Sequence, residues 1–294
     1  TININNKIKS FKKIIKVDSD KSISIRSFLI SSVSQNISKV KNVLESDDVF
    51  SCIECLKKLG VKIVKIRPRE YKIYGKGLGS LNISKNKTLN CGNSGTAARL
   101  IIGLLSTNPD IKVKITGDNS LKNRNMSKLI NLMTEFGATF YPSNKKNFPL
   151  TLTSSKMPIG IEYNAGVSAQ LKSAVMLAGL NAYGVTNIIE EEKSRNHTEN
   201  MLRKNTNVLK IKRNKKNQNH IKVFGKGYLD PLKIDIAGDP SSAAFFTALT
   251  LLNQNSVLKI KNVGLNPRRI GFYNILKKHG AKISFNNIKK NNHE

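Results

Sequence analysis

Apolar and polar positions along this chain follow one pattern written four times. Short runs of small and hydroxyl residues lead into apolar helices at Lys21 (DKSISIRSFLISS), Asn93 (NSGTAARLIIGLL), Ser168 (SAQLKSAVMLAGL) and Ser241 (SSAAFFTALTLL), with starts 72, 75 and 73 residues apart. A second element, an amphipathic helix followed by a strand, recurs in phase: LKKLGVKIVKI through Gly60, MTEFGATFYP through Gly137, LRKNTNVLKIK near Asn207 and LKKHGAKISF through Gly280. YGKGLGSL at Tyr74 and FGKGYLDP at Phe224 echo each other two periods apart. The unit is about 73 residues, and 294 residues hold four. Solenoid repeats run to roughly 20–50 residues, so each unit reads as a small mixed α/β subdomain able to bury its own helix faces.

Strand alternation is clearest in KVKNVLE at Lys39, VKIVKIR at Val61, IKVKITG at Ile111, LTLTS at Leu150, HIKVFG at His220, LKIDIAG at Leu232 and SVLKIKNVG at Ser256. Between these runs lie helices, the best marked being the stripe Met126, Leu129, Ile130, Met133 and Phe136. Strand and helix alternate throughout, which predicts an α/β fold. No Pro/Gly/Ser linker interrupts the chain, so ordered strands cross any domain boundary.

Composition changes this picture little. The net charge of +31 and pI near 10.1 would suggest a polyanionic partner. The excess Lys is instead spread through nearly every segment together with Asn and Ile, as an AT-rich coding sequence would give. No nucleic-acid partner is therefore expected. The densest basic run, Lys210 to Lys222, falls where a hairpin turn would join two strands. Cys52, Cys55 and Cys91 form no disulfide framework, and the first two sit in the helical stripe Val49, Cys52, Ile53, Leu56, Leu59, which makes them core positions. No apolar run reaches the roughly 18 residues of a membrane span, and TININNKIKSFKKIIKV at the N-terminus carries no signal-type block. The expectation is a cytoplasmic protein without membrane association.

The chemistry lies at the helix starts. Free backbone N–H groups and the helix dipole favour anions there, and Lys21, Arg26, Arg99, Arg124 and Arg195 stand around these starts. Several such ends facing one cleft would trap a multiply anionic small molecule. Taken singly, SGTAA or SSAA can simply let a helix pack closely on a sheet, GKG can be a plain turn, and His197 can be a polar residue at a helix start.

Six motifs in order carry a resemblance: DKSISIR (Asp20 to Arg26), GNSGTAAR (Gly92 to Arg99), GDNSLKNRNM (Gly117 to Met126), SAQLKSAVMLAGL (Ser168 to Leu180), SRNHTENML (Ser194 to Leu202) and GDPSSAAFF (Gly238 to Phe246). The series resembles that of the 5-enolpyruvylshikimate-3-phosphate synthases, the 3-phosphoshikimate carboxyvinyltransferases of aromatic amino acid biosynthesis. The resemblance implies a two-domain enolpyruvyl transferase fold of repeated βαβαββ units in pseudo-threefold domains, with about four of six units present. Residues 20–235 would form a complete upper domain of three units, and residues 1–19 with 236–294 an incomplete, discontinuous lower domain.

By the same resemblance, Lys21 touches both substrates and is catalytic. Ser22 and Arg26 hold the phosphate side of shikimate 3-phosphate, and Gly95 with Arg124 receives phosphoenolpyruvate. Ser168, Ala169 and Gln170 bind shikimate 3-phosphate, and Ser194 with Arg195 completes the phosphate site. The implied reaction adds the shikimate 5-hydroxyl to C2 of phosphoenolpyruvate, protonates C3 and expels phosphate from a tetrahedral intermediate. No metal or organic cofactor is implied, and the enzyme is expected to act as a monomer. The chain departs from the family at Asp18 and Ser19, where Pro-Gly is usual, at Asn125, where Pro is usual, and at Asn196, where Asp is usual. The family's catalytic Asp and its Lys-Glu pair are expected beyond Glu294, so the 294 residues alone are expected to lack turnover.

Two other classes compete for the same features. A UDP-N-acetylglucosamine enolpyruvyl transferase shares the fold but would carry a reactive Cys in a mobile loop. An RNA-binding or RNA-end-processing protein of similar repeat architecture would explain the charge and predicts steeply salt-dependent binding.

Overall fold

The computed structural model describes residues 8–84 and 86–289. Residues 1–7 and 290–294, both part of the expected lower domain, lie outside the described residues. The chain enters through β1 (Lys12–Lys16) and then runs through three successive sets of elements. The first is α1 (Lys21–Val33), β2 (Ile37–Lys41), α2 (Asp47–Lys58), β3 (Lys62–Arg67) and β4 (Glu70–Tyr74). The second is β5 (Thr88–Asn90), α3 (Gly95–Ser106), β6 (Lys112–Thr116), α4 (Asn119–Lys122), α5 (Ser127–Glu135), β7 (Thr139–Tyr141) and β8 (Leu150–Thr153). The third is β9 (Glu162–Ala165), α6 (Ala169–Gly179), β10 (Val185–Glu190), α7 (His197–Leu202), β11 (Leu209–Arg213) and β12 (Asn219–Phe224). Then follow β13 (Lys233–Asp235), α8 (Pro240–Leu251), β14 (Val257–Lys261) and α9 (Gly271–Lys278).

Three four-stranded sheets share one design: β13-β2-β4-β3, β5-β6-β8-β7 and β9-β10-β12-β11. In each, the first two strands are parallel and the remaining pairings antiparallel. This is the βαβαββ unit, and in the first sheet the leading strand, β13, arrives from after the third set. Likewise β1 leads a second small sheet by pairing parallel with β14. The chain therefore passes twice between the β1–β14 sheet and the first four-stranded sheet, and the crossing segments bind each other. Ser19 bridges Gly238, Asp20 N–H donates to the Ala237 carbonyl at 3.0 Å and Asp239 N–H donates to the Asp18 carbonyl at 2.8 Å.

The helices led by small residues occupy the centre. From Ile23 to Val33, α1 is buried all round, and α3 and α6 are nearly so. In α1 the buried hydroxyls of Ser24, Ser27 and Ser32 donate to carbonyls of the preceding turn, which lets polar residues lie inside beside the apolar ones. Gly103 of α3 lies directly on α6: a Cβ there would sit 2.5 Å from the Ala174 carbonyl oxygen. Each central helix starts on a capping side chain that accepts from the third amide of the helix: Asp20 from Ile23, Ser94 from Ala97 and Ser168 from Leu171. The amphipathic helices α2 and α5 cover the flanks, burying Val49, Cys52, Ile53, Cys55 and Leu56 in one and Leu129, Leu132 and Met133 in the other.

Several elements differ from the sequence expectation. In KVKNVLE the strand ends at Lys41, because Asn42 takes a positive φ of 53°. KISF at Lys282 forms no strand, having no partner among the described residues. Helix α8 has the composition of the central helices, yet Phe245 and Leu252 are 79% and 87% exposed, because its described neighbours are few. The Lys210–Lys222 run does form the β11–β12 hairpin, and the GKG echo falls at equivalent places, just after β4 and β12. No helix among the described residues is long and apolar enough to cross a membrane.

Helix contact at Gly103 gives a direct test of this packing. Gly103→Val is expected to lower the unfolding free energy by about 1–3 kcal/mol through overpacking, measured by urea denaturation.

Candidate functional site

The starts of the three central helices meet and are joined by side chains. From α1, Arg26 reaches across: Nε donates to Thr198 Oγ1 at 3.0 Å, Nη2 to Ser173 Oγ at 3.1 Å and Nη1 to the Ser22 carbonyl at 3.1 Å. Ser173 belongs to α6 and Thr198 to α7, so one buried guanidinium, 4% exposed, spans three helices through neutral oxygens. From α3, Arg99 donates to Gln170 Oε1 at 2.9 Å, and Gln170 Nε2 donates to Thr96 Oγ1 at 2.9 Å.

Between these ends opens a cleft of about 220 Å³ lined by Ser22, Arg26, Val167, Ser168, Ala169, Gln170, Arg195 and His197. Six of the residues singled out in the sequence thus share one wall: Ser22, Arg26, Ser168, Ala169, Gln170 and Arg195. The other four stand elsewhere. Lys21 pairs with Asp48 at 2.7 Å. Ser194 turns from the cleft, its N–H and hydroxyl donating to Glu190 Oε1 at 3.0 and 3.1 Å. Gly95 and Arg124 form a neighbouring cationic corner, where Arg124 Nη2 donates to Asn93 Oδ1. A Cβ on Gly95 would lie 2.6 Å from Arg124 Nη1 and 2.8 Å from Arg99 Nη1, so both guanidinium groups close over a bare backbone.

Electrostatics follow from this crowding. Burial lowers the Arg99 pKa, and Arg124 beside it lowers it further. Arg195 is solvent-facing, yet partial burial lowers its pKa, as does Arg269, while Asp20 and Asp239 oppose the shift. Cations that crowd one another are stabilised by any anion placed among them.

Beneath the cleft lies a buried ionic cluster. Lys172, wholly buried on α6, is ion-paired with Glu190 and, at 2.6 Å, with Glu199. Glu190 also accepts from Asn219 at 2.7 Å and from Arg268 at 3.1 Å. Burial pushes the Glu190 carboxyl up, but hydrogen bonds from Lys172, Asn219 and Arg268 and the Lys172 charge outweigh it and hold the pKa at about 2. Glu199 Oε2 is buried and has no hydrogen-bond partner among the described residues. Among the described residues, no three His, Cys, Asp or Glu side chains converge as metal ligands.

The sequence model of the EPSP synthase family, 3-phosphoshikimate 1-carboxyvinyltransferase, matches residues 5–294. The chain belongs to the EPSP synthase family. Among its EPSP synthase relatives, the 3-phosphoshikimate 1-carboxyvinyltransferase of Parvibaculum lavamentivorans is 38% identical over 274 residues, which is 93% of this chain and 60% of that one. The Novosphingobium aromaticivorans protein of the same name is 39% identical over 270 residues, 92% of this chain and 61% of that one. A solved EPSP synthase from Acinetobacter baumannii superposes with a TM-score of 0.84 at 33% identity, covering 97% of this chain and 64% of that one. The chain spans about three fifths of the length of the curated relatives named here.

Within this EPSP synthase fold, the sequence reading missed Lys172, Glu190, Glu199, Thr198, Arg268 and Arg269. One signal was available: a lysine inside the apolar helix SAQLKSAVMLAGL implies a buried counter-ion.

Lys172→Met removes the cation shared by Glu190 and Glu199, leaving Glu190 with the Arg268 cation, and is expected to lower stability by about 3–5 kcal/mol in urea denaturation at neutral pH. The folded Glu190 carboxyl titrates near 2, below its reference of 4.5, so its contribution is complete above the unfolded pKa and lost as pH falls through 4.5 toward 2. Glu190→Gln should therefore start from a lower urea midpoint and lose less of it than the unaltered protein between about pH 5 and pH 2.5.

Proposed function

We propose that this chain holds shikimate 3-phosphate and phosphoenolpyruvate for 3-phosphoshikimate 1-carboxyvinyl transfer, in the cytoplasm, as a monomer and without nucleic acid. The observation that carries this reading is the cleft itself. Side chains from three motifs far apart in sequence line one anion-sized cavity. Arg26 and Arg195 offer charge-assisted hydrogen bonds to the phosphate ester, in the planar geometry that suits phosphate oxygens. Ser22 and Ser168 offer hydroxyls, and Gln170 an amide, to the ring substituents. The corner at Gly95 receives the phosphoenolpyruvate carboxylate or phosphate between Arg124 and Arg99, and Lys21, on the first turn of α1, is the residue assigned to touch both substrates.

In this reading residues 20–235 act as one domain, and residues 1–19 with 236–294 belong to the other. The reaction is addition of the shikimate 5-hydroxyl to C2 of phosphoenolpyruvate, followed by loss of phosphate. No carboxylate lines the cleft among the described residues, so these residues bind, orient and stabilise developing negative charge. The 294 residues by themselves are proposed to bind these substrates without turnover. Among the described residues Cys52, Cys55 and Cys91 are all buried, and burial pushes the Cys52 thiol well up, which speaks against a UDP-sugar transferase relying on a reactive Cys.

Calorimetric titration with shikimate 3-phosphate at moderate salt tests the reading. Saturable binding is expected, weakened by about tenfold or more in Arg26→Ala, since hydrogen bonds to charged groups contribute about 1.5–3 kcal/mol. A folded sample that binds nothing, or binds equally well without Arg26, would contradict it.

A further inference from the structure

Arg269 lies in the loop before α9, outside the cleft lining, and its side chain is only 3% exposed. Its guanidinium touches both crossing segments. Nη1 donates to Asp20 Oδ2 at 2.6 Å, while Nη2 donates to Asp239 Oδ1 at 2.7 Å and to Ser241 Oγ at 3.0 Å. Nη1 is also 3.0 Å from His197 Nε2. A guanidinium has no acceptor, so Nε2 takes that bond with its lone pair, and the proton of a neutral imidazole then sits on Nδ1. Asp20 and Asp239 are the N-caps of α1 and α8, His197 lines the cleft, and the same two carboxylates are near enough to act on Arg195.

The geometry points to Arg269 as a positioning residue for the anion cleft: by engaging Asp20 and Asp239 together it keeps both carboxylates from drawing Arg195 away from an incoming phosphate. Two carboxylates this close to an anion site would otherwise repel a phosphate and attract the nearest mobile cation. Arg195 is exposed, and among the described residues no ion pair holds it. The planar fork of Arg269 reaches both carboxylates with separate nitrogens, Nη1 to Asp20 and Nη2 to Asp239.

The inference rests on the proposed substrate only through its phosphate group, so inorganic phosphate is titrated alongside shikimate 3-phosphate, with thermal unfolding as a check on folding. Arg269→Gln is expected to weaken binding of both anions by about tenfold, the scale of losing one partner of a desolvated charge pair. Arg269→Gln combined with Asp239→Asn removes one of the two liberated carboxylates and should recover part of that loss. A purely structural role predicts no recovery. Arg269→Lys should fall between the single variant and the unaltered protein, and it gives the reading if Arg269→Gln does not fold. Unchanged phosphate affinity in a folded Arg269 variant, or a double variant no better than the single one, overturns the inference. If the unaltered protein binds phosphate but not shikimate 3-phosphate, the proposed substrate fails while the Arg269 comparison stands on phosphate alone. Binding of neither anion overturns both.

Discussion

Everything at the cleft depends on how closely three helices pack. The chain buries α1, α3 and α6 on nearly every face and lets α3 and α6 approach until Gly103 lies on the Ala174 backbone. At that separation the helix starts share side chains: Arg26 of α1 bonds Ser173 of α6, and Arg99 of α3 bonds Gln170 of α6. Small residues thus serve two ends. Those inside the helices, Gly103 and Ala174, permit close packing, and those at the starts leave backbone N–H groups open toward a ligand.

A cleft built from cations needs its own counter-charges kept in order. The protein separates two kinds of ion. Beneath the cleft, Lys172, Glu190, Glu199 and Arg268 neutralise one another in a buried cluster, where removing any one member would leave a costly bare charge. Along the wall, Arg26 donates to two hydroxyls and a carbonyl, which fixes its position in the cleft. Arg269 stands between these regimes. It ties the two crossing segments by their capping aspartates, so the geometry of the crossover and the charge of the cleft depend on the same side chain.

Much of this was legible in the sequence, for physical reasons that can be named. The 73-residue period survives because each unit repeats one apolar helix and one amphipathic helix in fixed order. Asp20, Ser94 and Ser168 mark helix starts because an oxygen at the cap satisfies an otherwise unpaired amide. The strand β10 was not legible by alternation, because Glu190 occupies a buried position where an apolar residue is the rule. Its partners lie far away in sequence, Lys172 on α6 and Arg268 before α9, and charge pairing over such distances leaves no local pattern. Ser194 illustrates the same limit. Its hydroxyl and N–H donate to Glu190, a contact that its motif does not announce. The exposed apolar side of α8 could not be read from its composition, since SSAAFFTALTLL is as apolar as the buried helices; exposure is set by neighbours.

The central claim is that motifs scattered from Ser22 to His197 build one site for a phosphorylated ring. The most direct test is a crystal structure of the chain grown with shikimate 3-phosphate. The account predicts the phosphate between Arg26 and Arg195, with the ring against Ser168, Ala169 and Gln170. A phosphate bound elsewhere, such as the basic surface hollow at Asn123, Lys145 and Lys146, with this cleft unoccupied, would contradict it.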